Sequence, residues 1–227
     1  MLVDADGNRA RDSSTIVRVK PKLRGVFHEA GFYAALAAGA AMVVTAEPGR
    51  SRAAALIFAS CVAACFGASA LYHRPTWTPR VRGWLARLDH AGIYLLIAGS
   101  YAPFGLLVLS PGWAVTVLAI VWSGALIAIL MKLCWLRAPK WLSAVNGLVL
   151  GWVGAVAFGQ LLKLPSPALA LIIASGLLYT AGAVVYALRR PDPLPRVFGY
   201  HELFHVLTVL AVAAQYVAVA FFVLPTD

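Results

Sequence analysis

Seven apolar runs of membrane length leave this chain one class of fold. They fall at roughly 26–46, 53–73, 88–109, 113–133, 141–162, 167–188 and 201–224 of a 227-residue sequence. Each holds about 21 to 24 residues, which as helix measures roughly 32–36 Å, enough to cross a hydrocarbon core of about 30 Å. Only 12% of residues are charged, where a soluble domain carries about a quarter, and the mean hydropathy is +0.80. The expected fold is therefore all-α: a seven-transmembrane helical bundle over residues 26–227, with 1–25 as a flexible basic N-terminal tail. A second domain does not fit. The tail lacks the short apolar stretch and small-residue cleavage site of a signal peptide.

The net charge is +10, and its placement points to a membrane and away from nucleic acid. Sixteen of the nineteen Lys and Arg residues lie in the tail and in the second, fourth and sixth loops; the other loops hold only Arg50, Arg52 and Lys163. By the positive-inside rule the N-terminus is cytoplasmic and the C-terminus outside. The basic loops then face the anionic lipids of the inner leaflet, which accounts for the high isoelectric point. Trp113, Trp135 and Trp141 flank turns, as interfacial anchors do. "SPG" at 110–112 and "LPSP" at 164–167 read as outer turns and "RRPDPLPR" at 189–196 as an inner loop, because proline cannot continue a helix. The three cysteines, Cys61, Cys65 and Cys134, sit in or at the ends of apolar runs. Their odd number argues against a disulfide framework, and they read as small packing residues.

The histidines carry the functional signal. There are five, His28, His73, His90, His201 and His205, and each falls at the inner end of its run. Four helices thus deliver imidazole to one layer. Ionisable groups inside a membrane are costly, so they pair, face a cavity or bind something. In "HELFH", 201–205, the two histidines are four residues apart and share a helix face; in "SALYH", 69–73, Ser69 and His73 do the same. His73, His201 and His205 can therefore be assembled as metal ligands. Three neutral imidazoles suit zinc and leave the fourth tetrahedral position for water, the composition of a catalytic site. Asp89 lies at the same depth, placed to orient a ligand or that water, and Ser69 is placed to donate to a substrate oxygen. Glu29 and Glu202 read as solvated acids at helix starts, where the dipole favours them. His28 and His90 stay open.

The segments "SALYH", "LDHAGIYLLIAGSYAPF" at 88–104 and "HELFH", with "RGVFHEAG" at 24–31 more weakly, resemble the hemolysin III proteins. These lie within the progestin and adipoQ receptor superfamily, which shares its constellation with the alkaline ceramidases. The resemblance covers nearly the whole chain past the tail. It implies that His73, His201 and His205 are zinc ligands, that Asp89 stands near the metal-bound water and that Ser69 is the nearby serine. Many relatives carry a further histidine about ten residues after the second one of the last helix; here that position is Gln215, which leaves the metal motif intact.

Three functions compete. The first is a zinc-dependent hydrolase of a lipid amide or ester near the cytoplasmic leaflet, with Asp89 as base or orienter and Ser69 as donor to the oxyanion. The second is a pore-forming cytolysin, as the family name implies, although a pore needs polar lining throughout and the outer halves hold only scattered groups such as Ser123, Asn146 and Gln160. The third is a receptor-like protein with structural zinc. A retinal protein is disfavoured by the lack of lysine in the last run, and a transporter built from repeats because broken helices and midplane polar groups do not recur in both halves.

Overall fold

The computed structural model describes residues 20–135 and 139–226, and these form helices with no strand among them. The helices are α1 (Val26–Thr45), α2 (Arg50–His73), α3 (Pro79–Leu107), α4 (Pro111–Cys134), α5 (Lys140–Gly151), α6 (Phe158–Leu161), α7 (Ser166–Leu188) and α8 (Tyr200–Ala218). A 3₁₀ stretch, Val153–Ala157, joins α5 to α6, and the three together make one span. Seven segments are long and apolar enough to cross a membrane, as the runs predict. The expectation for residues 1–19 lies outside the described residues, as does Arg137.

Proline places several starts. Pro79 and Pro111 open α3 and α4, and α7 carries Pro167 in its first turn, where the missing N–H has no intrahelical partner to lose. Helix α3 begins nine residues before its apolar run. Its extra turns are polar, with Arg87 stacked 5.1 Å over the Trp84 ring, so hydropathy does not mark them.

Small residues let the helices close. α2 packs between α1 and α3, and α7 lies along α8. A Cβ on Gly92 would come within 3.2 Å of the Cys65 backbone, and one on Gly99 would overlap the Cys61 side chain. Such close approach replaces the hydrophobic driving force that lipid cannot supply between helices. Cys61 and Cys65 are buried in this seam, as expected of packing residues, whereas Cys134 is exposed. The outer surface keeps large apolar side chains uncovered, Val115 and Ile127 on α4 and Phe221 beyond α8 among them. In lipid that surface is solvated by acyl chains.

Two spans depart from α-helical geometry among the described residues, the last of them as a π-helical stretch at Val219–Val223. The fifth span leaves α-helical geometry at Trp152, and Tyr101 of α3 fills the gap. Its phenolic O–H donates to the Gly151 carbonyl at 2.6 Å, and its oxygen accepts the Gly154 N–H at 2.9 Å. Backbone groups freed in a hydrocarbon core need such a partner. Trp152 is held in turn by its Nε1–H, which donates to Thr180 Oγ1 at 3.1 Å.

Candidate metal centre

One end of the bundle gathers the histidines. His73 closes α2, and His201 and His205 occupy the first turns of α8. One ligating nitrogen from each of the three lies within 4.8 Å of the others. His73 Nε2 and His201 Nε2 are 3.2 Å apart. Tetrahedral zinc with bonds of about 2.05 Å sets neighbouring nitrogens roughly 3.3 Å apart, so this pair already has the spacing of two ligands. His205 is 2% exposed, and its Nδ1 has no hydrogen-bonding partner among the described residues. Three imidazoles, one of them with an orphaned nitrogen, fit a borderline-soft divalent metal.

Asp89 stands beside the triad. Its Oδ2 is 3.6 Å from His73 Nε2 and 3.8 Å from His90 Nδ1. Ser69, one turn before His73, is 1% exposed. Both line a cavity of about 270 Å³ that also receives His28, His201 and His205. The cavity runs from Asp89 to at least Phe104 on α3, fifteen residues or roughly 22 Å of helix. Beyond the histidine end its wall is mostly apolar: Ile93, Ile97, Phe104, Leu161, Leu169 and Ile172. The cavity is elongated, with the histidines gathered at one end.

Two residues enter the site that the sequence reading left aside. His28 of α1 is 3% exposed and lies flat on His205, ring centroids 3.8 Å apart and planes within 5°. Phe66 covers its other face at 4.8 Å. Neither ring nitrogen of His28 has a partner among the described residues. The in-plane lone pairs of two stacked rings lie in separate parallel planes, so His28 supports His205 without converging on the same point. Its inner-end position was the available signal, but an isolated histidine has no spacing partner to mark it.

Glu202 corrects an expectation. It is 0% exposed and not a solvated acid. One carboxylate oxygen pairs with the Arg24 guanidinium, and the other accepts the Gly199 N–H at 2.8 Å, capping the helix that carries both histidines. Glu29, more exposed, pairs with Arg74 at 2.6 Å. The segment before α1 is tied across this end: the Lys22 and Leu23 N–H groups donate to the Arg196 and Val197 carbonyls, both at 3.1 Å. Gly25 makes the passage possible. Its φ of +84° suits glycine, and a Cβ there would sit 2.6 Å from the His73 Cβ. Cations crowd the same face: burial first, then Arg82, Arg74 and Arg24, pulls the Lys20 ammonium below the usual lysine range.

The family described as "Haemolysin-III related" matches residues 17–216. "Hemolysin-3" of Bacillus cereus is 35% identical over 149 residues, 65% of each chain. "Hemolysin-3 homolog" of Bacillus subtilis (strain 168) is 33% identical over 136 residues, 60% of this chain and 61% of the relative. The chain thus spans somewhat under two thirds of these relatives. The "Heptahelical transmembrane protein ADIPOR2" of Oryza sativa subsp. japonica is 33% identical over 157 residues, covering 59% of this chain and 65% of the rice protein. These relatives and the seven apolar helices make this a multi-pass integral membrane protein, and the chain belongs to the haemolysin-III-related family.

Proposed function

We propose that the protein is a zinc-dependent hydrolase of a lipid amide or ester, working where its histidine cluster meets the apolar cavity. The observation that carries this reading is the union of the two: nitrogens within 4.8 Å of one another at the polar end of a cavity otherwise shaped for a hydrocarbon chain. Structural sites are usually closed by four protein ligands; here three imidazoles share their space with a carboxylate and a hydroxyl.

His73, His201 and His205 would hold the metal, whose Lewis acidity lowers the pKa of a water and polarises a carbonyl. Asp89 takes the proton of the attacking water at Oδ2 and returns it to the leaving group. Ser69 donates its hydroxyl hydrogen to the carbonyl oxygen as charge gathers there. The apolar wall holds the acyl chain, excludes bulk water and fixes the carbonyl against the polar end. The charge distribution favours placing the histidine end at the cytoplasmic leaflet, where Arg and Lys side chains of that face meet anionic lipids.

The test is hydrolysis of long-chain ceramides and fatty-acyl esters by purified, zinc-supplemented protein. Loss of a positioned acid–base group costs about 10²–10⁴-fold, so Asp89→Asn should lose activity by that factor, and His205→Ala should abolish it. No turnover of any lipid amide or ester by the wild type overturns the proposal. Liposome leakage unaffected by His205→Ala would favour membrane lysis, the activity in the bacterial relatives' names.

A further inference from the structure

Helix α8 continues the line of its histidines into the membrane. His201, His205, Thr208, Val212 and Gln215 are separated by steps of four and three, which keep five side chains on one stripe. Gln215 lies ten residues beyond His205, about 15 Å along the axis. Its Oε1 is shut off from the surface and has no hydrogen-bonding partner among the described residues; the phenolic oxygen of Tyr179, on α7, is in the same condition. Both side chains line the cavity, in its apolar stretch. A buried amide or phenol without a partner costs about 1–3 kcal/mol, and a hydrocarbon core supplies no bulk water to relieve it. Leucine and phenylalanine would fill nearly the same volumes without that cost. Two such groups, from two helices, facing one cavity, point to a ligand that satisfies them.

We propose that Tyr179 and Gln215 form a second polar subsite part-way along the apolar stretch of the cavity, which takes a hydroxyl carried part-way down a lipid chain. The inference rests on the cavity being the lipid-chain site. Its chemistry follows from the two groups. Gln215 Oε1 accepts only, and the Tyr179 O–H donates; a hydroxyl supplies one donor and an accepting oxygen. A plain alkyl chain leaves both groups unmet, and a charged group at this depth would be far costlier to bury. A site built to bond a hydroxyl discriminates against the analogue lacking it, because its own polar groups are then left bare. The ligand class narrows from any acyl lipid to one with a hydroxylated chain.

The experiment is competition binding on detergent-purified full-length protein. Fluorescent cis-parinarate, excited by energy transfer from tryptophan (Trp152 lines the cavity), is displaced by oleate or by ricinoleate, which differs by a single mid-chain hydroxyl. Wild type should bind ricinoleate about tenfold more tightly, the equivalent of about 1.4 kcal/mol. Tyr179→Phe and Gln215→Leu should each bring the ratio below about threefold, with oleate binding unchanged or improved. Tyr179→Phe removes one oxygen, so it keeps the test alive if Gln215→Leu does not fold. Equal displacement by the two acids in wild type, or a preference surviving both substitutions, overturns the subsite and leaves these groups to ordered water, with the chain-binding reading intact. Failure of either acid to displace parinarate overturns both. The readout needs no turnover, so an inactive protein with the ricinoleate preference supports the subsite while counting against the hydrolase.

Discussion

Replacing Glu202 with alanine removes two interactions at once, and their sizes follow from the structure. The carboxylate is fully buried and paired with Arg24, whose side chain keeps 22% exposure. Breaking a fully buried pair costs about 3–5 kcal/mol; partial access of Arg24 to solvent brings this to roughly 2 kcal/mol. The second oxygen caps α8 through the Gly199 N–H, an interaction worth about 1 kcal/mol. The sum of about 3 kcal/mol lowers the melting temperature of a chain this size by roughly 6–12 °C. Glu202→Gln separates the two parts. It keeps an acceptor for Gly199 in a capping position that glutamine also serves, so it should lose only the pair, about 4–8 °C. Adding Arg24→Met to Glu202→Gln should recover part of that loss, because the charge left behind is gone. Thermal unfolding in a single detergent, followed by circular dichroism, reads all four proteins. Melting of Glu202→Ala within about 2 °C of wild type would refute the reasoning and return this residue to a solvated helix-start acid.

Other perturbations probe the bundle and the site separately. Tyr101→Phe leaves the Gly151 carbonyl and Gly154 N–H unmet at the break; unfolding should show a loss of about 1–3 kcal/mol, and unchanged stability would mean the break is satisfied otherwise. Gly99→Ala drives a methyl into Cys61 and should cost about 1–3 kcal/mol, with Cys61→Gly in the same chain restoring melting if the seam is the cause. His28→Phe preserves the stack on His205 and should keep the full complement of bound metal; loss of metal by elemental analysis would show that His28 is a ligand.

Much of the fold is legible because membrane spans are written in run length. Seven runs became seven spans, and the polar first turns of α3 escaped only because hydropathy sees lipid contact and not helix. The break in the fifth span is hidden for a different reason. "GLVLGWVGAVAFGQL" at 147–161 is apolar except for Gln160, and the group that makes a break tolerable there, Tyr101, is about fifty residues away in sequence. The histidines divide in the same way. His201 with His205, and Ser69 with His73, announce themselves by spacing on one helix. His28 reaches His205, and Arg24 reaches Glu202, only through the closure of the first helix on the last. Gln215 stood out only through the resemblance, and its lack of a partner became apparent only with the cavity around it.

The proposed function requires that His73, His201 and His205 hold a metal ion at the polar end of the cavity. The most direct test is the metal content of detergent-purified protein by elemental analysis, for wild type and His205→Ala side by side. About one zinc per chain is expected in wild type and none in the variant. Absence of metal from wild type after zinc supplementation, or equal metal in both proteins, would contradict it and leave the histidines as interfacial packing residues.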